Sequence, residues 1–394
     1  MEVTPPKSVR YHALDIWRGI VCLVVVLEHA AVCLWSVPAD QVAVGGGPLR
    51  GWLVWSLSQN VGAPLFFVIS GYCIAASLDS TRRKGISPGR FIARRLWRIF
   101  PPYWASMAVI ALSVVTLNVV GLRRWHATGA GLELFDLDTF GWLQWVGNFS
   151  LTETWRPRLV PWVEMRFLNR VAWALCYQEQ FYLICFLALV FFSKQLYKAL
   201  GVATLLIIGF KLVMTDVRWD QPFIGFFPDL WHEFAVGLLL YWRINVATTF
   251  AAKRSAEGLF VGLFAFATFK GMITTQAAAL FGMLLLGIYR WDEPIARIHW
   301  FNPLRALGKR SYSVYLIHLP VCTIGNAALA EAGLDHFWQR VVIMIPLVVV
   351  GSIVAAWIFY AAVDRHFGNL PIVGRAGRLI KPPLPEVAIP HARV

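Results

Sequence analysis

ALDIWRGIVCLVVVLEHAAVCLW, residues 13–35, is the stretch that decides the fold. As a helix it is long enough to cross a bilayer, which takes ~20 residues. It nevertheless carries Asp15, Arg18, Glu28 and His29. Ionisable groups in a spanning helix are expensive, and they face a protein interior or a wet cavity rather than lipid. At 3.6 residues per turn, eleven positions return to within roughly 20° of the starting direction, so Arg18 and His29 share one face, ~16 Å apart along the axis. Asp15, one turn before Arg18, lies close to that stripe. One face therefore presents a cation near one membrane surface and an imidazole deeper in. A buried neutral imidazole is a natural proton acceptor near neutral pH.

The rest of the chain agrees. Its 394 residues are 58% hydrophobic and only 15% charged, with a mean hydropathy of +0.59. Soluble domains average about 45–50% apolar and about 25% charged, so this composition specifies an integral membrane protein. A formal net charge of +14 would also suit nucleic-acid binding. The basic residues cluster between apolar spans, however, and membrane topology and anionic headgroups explain that pattern more simply. No nucleic-acid partner is expected. The six cysteines all lie in apolar segments with neither metal spacing nor a pairing pattern, and read as packing residues.

Apolar runs predict about ten spans, near residues 13–35, 52–78, 102–121, 172–193, 199–215, 226–242, 257–269, 272–289, 311–329 and 339–363. The first is followed by further spans, so it reads as a retained helix and not a cleaved signal. Between the second and third lies the most basic loop, with Arg82, Arg83, Lys84, Arg90, Arg94, Arg95 and Arg98. Positive charge stays on the cytoplasmic side, which puts this loop and both termini inside. The expected fold is thus an all-α polytopic bundle over residues 13–365. A short cytoplasmic tail, 1–12, precedes it, and a disordered cytoplasmic tail, 366–394, follows. No internal repeat and no appended soluble domain are expected. The segment 122–171 is long, external and rich in Trp and Arg; its arginines run against the positive-inside bias, and its tryptophans suit a membrane-surface belt or sugar stacking.

Five local patterns stand together in chain order: ALDIWRG with His29 eleven residues after Arg18, PLFFVISGY, ARRLWRIFPPYW, WALCYQEQFYL and SYSVYLIHLPV. Together they resemble acyltransferase family 3, integral membrane proteins, over roughly residues 11–365. The resemblance implies transfer of an acyl group, often acetyl, from acyl-coenzyme A to a glycan or lipid-linked sugar at the cell inner membrane. Two departures stand out. Many relatives carry two successive glutamates in the fourth pattern; here Gln178 precedes Glu179. The residue before the first-span histidine is often Tyr in relatives and is Glu28 here, so Glu28 inherits no role.

Within that frame His29 is the expected catalytic base, since acylating a hydroxyl requires removing its proton as the oxygen attacks the thioester. The alternative role for it is transient acylation, as a relay across the membrane. Glu179 is the expected partner that fixes the imidazole tautomer. Arg18, Arg94, Arg95 and Arg98 are the expected donor-binding residues, because guanidinium forks bind phosphate oxygens and coenzyme A is cytoplasmic. Arg94 and Arg98, four apart, share a helix face. Asp15, Tyr182 and His318 are further candidate site positions. Ser70 and Gly71 lack a G-x-S-x-G elbow and read as packing residues, while His232 and Glu233 are weaker acceptor candidates. No metal site, phosphate loop or resident cofactor is expected; acyl-CoA enters as a substrate. One rival reading is a transporter or flippase without covalent chemistry, which also uses intramembrane charges but usually shows repeats or broken helices; another keeps the acyltransferase but gives it a lipid or small secreted molecule as acceptor.

Overall fold

The computed structural model describes residues 11–34, 47–123, 134–213, 224–334 and 336–368, with the pairs 372–373 and 379–380. The expectations for residues 1–10, most of the 36–51 loop, Arg124, Trp125 and the last fourteen residues fall outside these ranges. Thirteen described helices have eight residues or more: α1 (Leu14–Ala30), α2 (Gly47–Leu57), α3 (Gly62–Arg83), α4 (Pro88–Val119), α5 (Trp142–Phe149), α6 (Ala172–Phe191), α7 (Leu196–Val213), α8 (Trp231–Asn245), α9 (Phe250–Phe269), α10 (Ile273–Ile288), α11 (Asn302–Lys309), α12 (Ser311–Glu331) and α13 (Ile345–Ala362). In the C-terminal tail, Ile372–Val373 pairs antiparallel with Leu379–Ile380.

The chain is an all-α polytopic membrane protein. Among the described residues, seven helical stretches are long and apolar enough to span, including Leu14–Leu34, Pro88–Val119, Ala172–Phe191 and Ser311–Glu331. The other expected spans correspond to α7, α8 and α9.

Two boundaries differ from the sequence reading, each for a local reason. The expected second span is two helices, α2 and α3, broken at Asn60, which takes a left-handed φ of 52°. The break is held by the neighbouring helix: Glu28 Oε1 accepts the N–H of Val61 at 2.6 Å and that of Gly62 at 3.2 Å. The carboxyl of α1 thereby caps the start of α3, where the first backbone donors have no helical acceptor. The basic segment before the third span is largely helical as well. Pro88 opens α4, a favoured place for proline because its missing N–H is not needed there. At 32 residues, α4 is about 48 Å long at 1.5 Å per residue, against a hydrocarbon core of about 30 Å. Arg90, Arg94, Arg95 and Arg98 therefore ride on a helix that projects from the apolar slab.

Close backbone contacts set the helix rotations. A Cβ on Gly19 of α1 would collide with the carbonyl of Leu304 in α11, and one on Gly308 with the carbonyl of Asp15. Between α3 and α8 the same happens at Gly71, against the Phe234 carbonyl, and at Gly237, against that of Val68. Without a hydrophobic drive between helices in lipid, such small-residue contacts carry much of the packing. The start of α1 is tied down by Asp292, whose carboxyl accepts the N–H groups of His12 and Ala13, the latter at 2.7 Å.

The Trp- and Arg-rich segment before α6 folds onto the bundle end. Tyr103 and Trp104 of α4 donate to the carbonyls of Asn148 and Phe149, each at 2.9 Å. Four of its described arginines, Arg123, Arg156, Arg158 and Arg166, are hydrogen-bonded within the protein. Arg156 forms a fork with the fully buried Glu153, at 2.7 and 2.8 Å, and Arg166 donates to the Thr139 carbonyl. Trp142 and Trp162 remain exposed.

Candidate functional site

A cavity of about 510 Å³ lies inside the bundle, lined from α1, α3, α4, α6 and α12. That is within the range of about 300–1,000 Å³ usual for small-molecule sites. It extends from Arg18, Arg95, Arg98 and Ser311 at one end to Glu28, His29, Asn60 and Trp173 at the other. The stripe expected on α1 is therefore a cavity wall, with Arg18 and His29 both on it.

At the basic end, Arg18 donates to Asp15 Oδ1 at 3.1 Å and to Cys73 Sγ at 2.9 Å. Asp15 supports the guanidinium from behind and does not line the cavity. Arg95 lies 5.8 Å from the ring centre of Phe91 and 5.9 Å from that of Tyr182, so its head group is held over aromatic faces. Arg98 stands at the mouth. Arg94 is separated from this group: it is exposed, does not line the cavity, and donates to the carbonyl of Arg90 at 3.2 Å. Of the four arginines expected to act together, the structure gathers three.

His29 is held by its own helix. Its Nδ1 lies 2.8 Å from the Val25 carbonyl oxygen. A carbonyl only accepts, so Nδ1 carries the proton and Nε2 keeps its lone pair. Directly beside it is His318, with ring centres 4.9 Å apart and planes at 75°. His318 repeats the arrangement: Nδ1 lies 2.9 Å from the Val314 carbonyl, and its Nε2 is buried with no hydrogen-bond partner among the described residues.

The expected bond between His29 and Glu179 is not formed. Among the described residues no hydrogen bond or ion pair reaches Glu179, which is half-buried and does not line the cavity. The α6 face in the wall is the one bearing Leu175, Gln178 and Tyr182; Glu179 is ~100° further round the helix than Gln178. The orienting role given to a carboxylate is filled by a backbone carbonyl instead. Gln178, the departure from the relatives' pattern, is the residue that faces the cavity. It donates to Ser70 Oγ at 2.9 Å and to the hydroxyl of Tyr182. Ser70, read from sequence as packing, is a wall residue, while Gly71 beside it does pack against α8. Cys73, another expected packing residue, likewise lines the wall. The signal for both was their spacing on α3, with Phe66, Ser70 and Cys73 three or four residues apart on one face.

His232 and Glu233 are placed elsewhere. Both are buried between α8 and α10, with His232 Nε2 2.7 Å from Thr275 Oγ1 and that hydroxyl 3.4 Å from Glu233. They do not line the cavity.

A model of an acyltransferase domain, that of acyltransferase family 3, matches residues 11–361. BcsY of Komagataeibacter xylinus, a protein assigned as a membrane-bound transacylase, is 25% identical over 334 residues, covering 82% of this chain and 76% of BcsY. The peptidoglycan O-acetyltransferase OatA of Listeria monocytogenes is 22% identical over 319 residues, covering 73% of this chain. The O-acetyltransferase OatA of Staphylococcus aureus is 23% identical over 310 residues, covering 69% of this chain. The chain spans about half the length of each OatA, 48% and 47%. No solved structure matches. The family model covers nearly the whole membrane bundle and every wall of the cavity, which decides between the enzyme and the transporter readings: the chain belongs to acyltransferase family 3 and is a membrane acyltransferase.

Proposed function

We propose that the protein moves an acyl group, acetyl in the simplest case, from acyl-CoA to a hydroxyl of a cell-surface polysaccharide or its lipid-linked precursor. The observation that carries this reading is one cavity with a guanidinium cluster at one end and an imidazole of fixed tautomer at the other. The diphosphate and 3′-phosphate of coenzyme A dock on Arg18, Arg95 and Arg98 at the cytoplasmic end, through charge-assisted forks. The pantetheine arm brings the thioester up the cavity toward His29. His29 Nε2 takes the proton of the acceptor hydroxyl as its oxygen attacks the thioester carbonyl. The carbon–sulfur bond breaks, and the imidazolium returns the proton to the departing thiolate, so that neutral His29 is regenerated. Both termini lie in the cytoplasm and the enzyme resides in the inner membrane, the compartment arrangement that gives the basic end access to acyl-CoA. The names of the relatives, a transacylase and two O-acetyltransferases, support the acyl group and the hydroxyl acceptor.

The test is acyl transfer by purified protein supplied with acetyl-CoA carrying a labelled acetyl group. His29→Ala is expected to abolish transfer while the protein extracts from membranes and elutes as wild type. Full activity in the folded variant would overturn the assignment.

A further inference from the structure

The end of the cavity away from the arginines carries three side chains that the transfer step leaves unused: Glu28, Asn60 and Trp173. Glu28 adjoins His29 on α1 and comes from a position to which the resemblance gave no role. Oε1 accepts the N–H of Val61 at 2.6 Å, and the N–H of Gly62 is shared evenly between Oε1 and Oε2, 3.2 Å from each, so Oε2 carries half of one backbone bond. A carboxyl group offers about four acceptor positions, so capping α3 leaves acceptor capacity beside the cavity. Any side chain at position 62 would press on that same oxygen, since an added Cβ would lie 2.8 Å from Oε2. Asn60 uses its amide N–H on the Ser58 carbonyl at 3.0 Å, which leaves Oδ1 as a second acceptor. Trp173 is held in one plane by Phe67 and Tyr177, both edge-on at 83°, yet it keeps 36% of its surface exposed.

We propose that this end is a subsite for a polyhydroxylated acceptor. One hydroxyl gives its proton to His29 Nε2, a neighbouring hydroxyl donates to Glu28 Oε2, and the apolar face of the ring lies on Trp173. Acceptor oxygens beside an aromatic plane match the chemistry of a pyranose, whose edges donate and whose faces are carbon–hydrogen. They do not match a lipid tail. A carboxyl that served only as a cap needs no place in a cavity wall; caps are ordinarily supplied by the residue just before the helix, whereas this one comes from 33 residues upstream. The inference rests on the reading of His29 as the acyl-transfer base and names what that base acts upon.

The experiment uses the full chain in detergent, labelled acetyl-CoA, and as acceptor probes soluble glucose and N-acetylglucosamine oligosaccharides with their mono-deoxy counterparts. Glu28→Gln keeps an oxygen for Val61 and Gly62 but replaces the other acceptor with a donor. It should raise the acceptor KM about tenfold, the effect of one hydrogen bond lost to a buried group, with kcat and the donor KM within about twofold. It should also erase the wild type's preference for the probe that retains the neighbouring hydroxyl. Trp173→Ala should raise the acceptor KM without restoring deoxy probes, and it serves as the second test if Glu28→Gln fails to fold. Unchanged acceptor KM in both variants, equal losses in donor and acceptor parameters, or wild-type transfer to a simple long-chain alcohol but to no sugar would each overturn the subsite. In the last case the acyl-transfer reading survives. Absence of any transfer that depends on His29 overturns that reading and the subsite with it.

Discussion

At the residue scale the deciding feature is which of two adjacent side chains faces the cavity. Arg95 is in the wall and Arg94 is not; Gln178 is in the wall and Glu179 is not. Adjacent residues of a helix point ~100° apart; where the cavity edge falls between them, as at these two pairs, one faces in and the other turns away, whereas Glu28 and His29 both reach the wall. Arg95→Ala is expected to raise the acyl-CoA KM by about tenfold or more, since a charge-assisted hydrogen bond is worth about 1.5–3 kcal/mol. Arg94→Ala should stay within about twofold, and donor titrations of the two variants in parallel check this. Gln178→Ala, which frees Ser70 and Tyr182 from a common partner, should lower kcat more than Glu179→Gln. The reverse order would restore the carboxylate to the mechanism by a route other than contact with His29. His318 poses a related question. Its Nε2, with no hydrogen-bond partner among the described residues, sits behind His29, and His318→Ala should reduce kcat while leaving the donor KM near wild type.

Elements are placed by glycine. The α3–α8 crossing brings Gly71 and Gly237 against opposing backbone carbonyls, and α3 carries Ser70 and Cys73 into the wall. Gly71→Ala must therefore push two helices apart at the site. Overpacking of this kind costs about 1–3 kcal/mol, and here the neighbour is backbone, which yields least. A lower Tm in detergent together with a loss of activity exceeding the loss of folded protein is the expected result. Asp292→Ala acts at another joint. It leaves the N–H groups of His12 and Ala13 without their acceptor, a cap loss of about 0.5–2 kcal/mol, and should lower Tm with little change in KM.

For the whole molecule the question is which membrane face each end of the cavity meets. Ten apolar runs and the basic stretch from Arg82 to Arg98 were plain in the sequence, because hydropathy and helical period are local properties. The Arg18–His29 stripe was legible for the same reason, and the enzyme class came from the resemblance that the five motifs carry in their order. A single cysteine introduced at Arg94, in a cysteine-free background, should resist an impermeant thiol reagent in intact cells. One introduced at the exposed Trp162 should react. Labelling in the opposite sense would reverse the proposed direction of acyl transfer.

What the chain order alone determined was an α-helical membrane enzyme with a cation and an imidazole on one face of its first helix. What it did not reveal were the contacts made by segments far apart: Glu28 capping a helix that starts at Gly62, His318 beside His29, Gln178 joining Ser70 to Tyr182. Those depend on the rotation of each helix about its own axis. A rotation of one residue exchanges a wall position for a buried or lipid-facing one, and it is settled only when the backbones meet at Gly19, Gly71, Gly237 and Gly308.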